Sequence, residues 1–75
     1  MIIRMGEDIF DLQAGKSGDI HYVQIWLTGY VPDRYCGIYY HDWNNGLNNR
    51  WYNKGQMPSE IFRACQKMIV NLAFL

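Results

Sequence analysis

From Ile20 to Tyr30 the chain alternates. Val23, Ile25 and Leu27 fall on one side of an extended backbone, and Tyr22, Gln24, Trp26, Thr28 and Tyr30 fall on the other. A period of two, carried by β-branched and aromatic residues, predicts a strand. Val31-Pro32-Asp33-Arg34-Tyr35 predicts a turn, because proline offers no N–H to a ladder and aspartate suits turn geometry. Cys36 to Trp43 predicts the next strand, and Asn45-Gly46 a two-residue hairpin loop, since a type I′ turn needs positive φ at both central residues. That loop sets Asn44 opposite Leu47, His41 opposite Arg50, Tyr40 opposite Trp51 and Tyr39 opposite Tyr52. Directly opposed residues share a face.

The period then changes. Lys54-Gly55-Gln56 ends the sheet, and Pro58 and Glu60 suit the first turn of a helix running to about Ala73. Ile61, Ala64, Cys65, Met68, Ile69 and Leu72 form one apolar stripe, with Arg63, Lys67 and Asn71 on the far side. Before Ile20 the pattern is weaker. Ile2, Ile3 and Met5 predict a short strand, Gly6-Glu7-Asp8 a turn, and Ile9, Phe10 and Leu12 a second strand; one or two helical turns capped by Asp8 and stopped by Gly15 are the alternative. Ala14 to Asp19 reads as a loop. The fold class expected is α+β: a single domain over 1–75, with an antiparallel sheet of three to five strands packed on one C-terminal helix.

One helix covers one sheet face. The predicted covered face carries Val23, Ile25, Leu27, Ile38, Tyr40 and Trp51. The other carries Tyr22, Trp26, Tyr30, Tyr39, His41, Trp43, Arg50 and Tyr52. A solvated sheet face ordinarily shows threonine, lysine, glutamate and serine. Tyrosine, tryptophan and arginine are instead the residues of binding hot spots. Tyr22, Trp26, Tyr30, Tyr39, Trp43, Arg50 and Tyr52 are therefore the expected partner-binding residues. The competing use of the same rings is burial inside the chain or in a homodimer. The Asn-rich segment from Asn44 to Arg50 is a second contact candidate, although turn chemistry alone explains its composition.

Charge narrows the choice of partner. Seven basic residues balance seven acidic ones, and no basic run occurs. Phosphate backbones are bound mainly by positive excess, so a general nucleic-acid binder is disfavoured. Single-stranded nucleic acid stacked on the aromatic rings is the weaker alternative to a protein partner. Arg4 and Glu7 lie where a signal peptide would need an apolar stretch, and no apolar run approaches the ~20 residues of a membrane span. A cytoplasmic protein without membrane contact is the expectation. Cys36 and Cys65 form no C-x-x-C and are expected reduced, as small apolar residues.

Catalytic motifs fail one by one. Gly15-Lys16-Ser17 resembles the end of a P-loop, but Phe10 occupies the place of the first glycine and a strand follows instead of a helix. His21, His41, Cys36, Cys65 and Asp42 lack metal-ligand spacing, and in the register above the two histidines face opposite ways. Cys36 and His41 are five apart on one strand and so also face opposite ways. No enzyme activity and no cofactor are expected. The expected function is protein binding, in the manner of a small inhibitor of a host protein encoded by a phage or mobile element.

Overall fold

A computed structural model describes every residue except 43, 45, 74 and 75, and for residues 72 and 73 it describes the backbone alone. Five strands are followed by one helix: β1 (Ile2–Met5), β2 (Asp8–Ser17), β3 (Ile20–Leu27), β4 (Arg34–Asp42), β5 (Gly46–Trp51) and α1 (Ser59–Ala73). The strands form one antiparallel sheet in the order β1-β2-β3-β4-β5. This is the small α+β architecture that the change of period implies.

The N-terminal segment takes the strand reading. Met5 pairs with Asp8 and Ser17 with Ile20, which leaves Gly6-Glu7 and Gly18-Asp19 as two-residue loops. Gly6 and Gly18 have φ of 62° and 60°, the left-handed region that a type II′ turn requires at its first central position. Ala14 to Ser17 was expected in a loop and instead completes β2, with Gly15 opposite Tyr22. The turn residues there mislead because only Gly18-Asp19 turns.

The helix supplies the core from one side. Phe62 N–H donates to Pro58 O at 3.0 Å, so Pro58 is the cap and the first helical residue is Ser59. Ile61, Cys65 and Ile69 are fully buried against Phe10, Leu12, Val23, Ile25, Leu27, Cys36 and Tyr39. Complete burial of Ile61 and of Ile69 stabilises the fold by about 1.5–3 kcal/mol each. Ile3, Met5, Trp51, Met57, Ala64 and Met68 pack around that centre.

In β4 the side chains take the opposite phase from the expected one. Ile25 pairs with Gly37, but Trp26 pairs with Tyr35, so Cys36 is an extra residue on β4. This β-bulge resets the alternation. Beyond it, Tyr39 and His41 point toward the helix, opposite Val23 and His21, while Ile38 and Tyr40 point away. The two histidines thus share a face, contrary to the sequence register. The turn after β4 contributes a second odd step: Asp42 pairs with Gly46 rather than Asn44 with Leu47. The two steps cancel, which is why Trp51 still packs on the core while β4 is inverted.

Close approach fixes Gly37 in the bulged strand. A Cβ there would come 2.5 Å from the Arg50 carbonyl oxygen and 3.0 Å from a Trp51 ring carbon. At Gly15 the atoms a Cβ would meet first belong to the Tyr22 ring, 2.5 Å from Cζ and Oη. A ring tip can swing aside and a paired backbone cannot. Gly37→Ala is therefore expected to cost about 1–3 kcal/mol in urea unfolding, and Gly15→Ala much less. Equal costs would show that the β5 backbone yields.

Candidate functional site

The sheet face turned away from α1 is built by pairing. Tyr22 lies opposite Tyr40, and Trp26 opposite Tyr35. Ile38 lies opposite Arg50. Tyr52 follows β5, and its N–H donates to Cys36 O at 2.8 Å, which continues the ladder by one residue. Helix contacts with β2, β3 and β4 all come from the other side, through Ile61, Cys65 and Ile69. Among the described residues no strand or helix covers this face.

The rings shield one another. Trp26 meets Tyr35 edge-on at 4.8 Å between centroids and 62° between planes, and Tyr35 meets Tyr52 at 5.9 Å. Tyr22 lies across the bare backbone of Gly15. This mutual packing leaves Tyr22, Trp26, Tyr35, Ile38 and Tyr40 half-buried, while Tyr52 remains 60% exposed. Such contacts hold the rings in fixed positions, so little side-chain freedom remains to be lost on binding.

Polar groups are set among the rings. The Arg50 guanidinium lies on the same face opposite Ile38, and the neighbouring Tyr40 and Tyr52 phenols raise its pKa above the ordinary value. Burial pushes the Tyr35 phenol up, with Tyr52 adding to the rise and a hydrogen bond with Gln24 opposing it. The Tyr35 phenol is therefore a neutral donor and acceptor at neutral pH. Trp26 Nε1 is buried without a hydrogen-bond partner. Charges of both signs border the rings, with Arg4 and Asp11 toward β1 and Asp42 and Arg50 toward β5.

Tyr22, Trp26, Arg50 and Tyr52 fall on this face, where the sequence put them. Tyr39 does not: it is fully buried, edge-on to Phe62 at 5.2 Å. Tyr30 is exposed in the loop after β3, because that strand ends at Leu27, and its ring lies 5.2 Å from the Arg34 guanidinium carbon. Trp43 lies outside the described residues. Sequence reasoning missed Tyr35, Ile38 and Tyr40. The available signal was Gly37, since an isolated glycine inside a strand often marks a bulge.

Other chemistries find no assembled site. Cys36 and Cys65 are buried and unbridged. Among the described residues no three His, Cys, Asp or Glu side chains gather as a metal site. Among them, too, no helix is long and apolar enough to cross a membrane. No family model, curated protein or solved structure matches this chain.

Proposed function

We propose that this protein binds another protein through its uncovered sheet face, with Tyr22, Trp26, Tyr35, Tyr40 and Tyr52 as the contact rings and Arg50 as the polar anchor. The observation that carries the reading is a fixed cluster of rings on the one broad face that the single helix leaves open. A patch of this kind exceeds the scattered apolar residues of an ordinary surface. Its composition is that of an interface centre, and the charges around it form a polar rim. Occupying a partner's surface in this way blocks whatever that surface does, which is the action of an inhibitor.

Single-stranded nucleic acid is the competing occupant, because exposed rings also stack on bases. The charge argues against it. Arg4 and Arg50 are offset on the same face by Asp11 and Asp42, so the face has no excess to attract phosphates.

Capture from the native host tests the proposal, with wild type, Trp26→Ala, Tyr40→Ala and Tyr30→Ala as baits. Tyr30 serves as the control because it is exposed but off the face. A protein held by wild type and Tyr30→Ala should bind Trp26→Ala or Tyr40→Ala about 30-fold more weakly, the size of one hot-spot loss. Equal recovery by all four baits removes the face from consideration. Quenching of tryptophan fluorescence by single-stranded oligonucleotide at low salt, lost at high salt, would favour the competing occupant.

A further inference from the structure

Among the described residues no strand pairs with the outer edge of β1 or of β5, and the chain treats the two edges differently. Edge strands are usually protected by shortness, charge, proline or a bulge. β1 has four residues and includes Arg4. β5 has six, GLNNRW, with no lysine, glutamate or proline, and its register with β4 runs unbroken from Asp42–Gly46 to Gly37–Trp51. Its one charge, Arg50, stands on the open sheet face opposite Ile38, away from the helix side on which Leu47, Asn49 and Trp51 project.

The direction of the free backbone groups follows from one bond. Tyr52 N–H donates inward to Cys36 O. Backbone groups alternate along a strand, so Arg50 and Asn48 also point inward, and Trp51, Asn49 and Leu47 turn their N–H and C=O groups outward. The side chains of these same three residues point to the helix side. There a groove of about 430 Å³ runs beside the edge, lined by Asn49, Trp51, Met57 and Phe62 with Gln56 and Ser59. Leu47, at the other end of β5, is 47% exposed.

These features complement themselves. We propose that β5 pairs antiparallel with β5 of a second copy about a twofold axis at Asn49, joining two sheets into one and seating each Leu47 in the other copy's groove beside Trp51. In this register Leu47 lies opposite Trp51 of the second copy, and Asn49 opposite Asn49. Both pairs are of the hydrogen-bonded kind, so all three outward residues of each strand are satisfied. On the other side Asn48 lies opposite Arg50, which keeps the two guanidiniums from opposing each other. A twofold interface needs this kind of self-matching patch. The joined sheet leaves both aromatic faces uncovered and side by side, so the assembly is independent of what those faces bind.

Light scattering from micromolar to millimolar protein tests the pairing. The mass of wild type should rise to twice that of one chain. Asn49→Pro removes an outward N–H at the axis without breaking the bond network to β4, and should hold the protein at one-chain mass with an unchanged circular dichroism spectrum. Leu47→Glu places a charge where the groove expects an apolar side chain, and should do the same with no backbone change. Trp26→Ala should dimerise like wild type. A one-chain mass at every concentration overturns the proposal, as does a dimer that survives both edge variants or that is lost with Trp26→Ala.

Discussion

Tyr39→Ala is expected to lower the unfolding free energy by about 3–5 kcal/mol, while Tyr39→Phe leaves it unchanged or raises it. Both expectations come from the phase of β4. Tyr39 is fully buried opposite Val23, with its ring edge-on to Phe62 at 84° between planes. Truncation would leave a cavity between the sheet and α1 that a small core cannot close. A domain of this size has only about 5–10 kcal/mol in hand, so the alanine variant should lose between about a third and all of its stability. The hydroxyl behaves differently. Its oxygen is buried without a hydrogen-bond partner, and burial raises its pKa. An unsatisfied buried hydroxyl costs about 1–3 kcal/mol, so deleting it removes a penalty. Urea unfolding of the two variants beside Tyr40→Ala tests the register as well. Tyr40 is half-buried on the open face, and its loss should cost far less. If Tyr40→Ala proved the more damaging change, the inverted phase of β4 would be wrong.

That phase also marks where sequence reasoning stops. β3 and α1 were legible because each has one unbroken period: Val23, Ile25 and Leu27 at two, and Ile61, Cys65 and Ile69 at four. Both sets are fully or almost fully buried as expected. β4 was not legible because its pattern, Tyr35-Cys36-Gly37-Ile38-Tyr39-Tyr40-His41, has apolar or aromatic residues in both phases. Nothing local decides between them, and a single extra residue at Cys36 inverts every side chain that follows. The hairpin signal Asn45-Gly46 added to the problem, because it fixed a neighbour list one odd step from the observed one. The candidate site was legible as a property of the sheet rather than as a set of residues. An aromatic face on the side without a helix survives the inversion, since Tyr40 replaces Tyr39 and Tyr35 joins Trp26 and Tyr52. Tyrosines in both phases made the inference robust and the assignments fragile.

Alkaline pH should weaken the fold through Cys65, a thiol fully buried at the helix–sheet contact. Burial in apolar surroundings pushes its pKa from 9.0 up to about 12, because the thiolate loses its hydration and gains no partner. Unfolding restores the ordinary value. Between the two values the unfolded chain has released its proton while the native chain still holds it. Stability therefore falls as pH rises when proton binding is greater in the native state. The contribution is fully present below pH 9, declines above it and is exhausted near pH 12. Three pH units correspond to at most about 4 kcal/mol. Cys36 adds in the same direction, since burial also raises its pKa, though the Leu27 backbone and Arg34 oppose the rise. The measurement is unfolding free energy in urea at a series of pH values from neutral to about 11, for wild type and Cys65→Ala. The variant should be less stable at neutral pH, because it loses a packed side chain, and should show the shallower alkaline slope. Parallel slopes would mean that the Cys65 thiol ionises as easily in the folded protein as in the unfolded chain. The contact between α1 and the sheet would then admit water at Cys65.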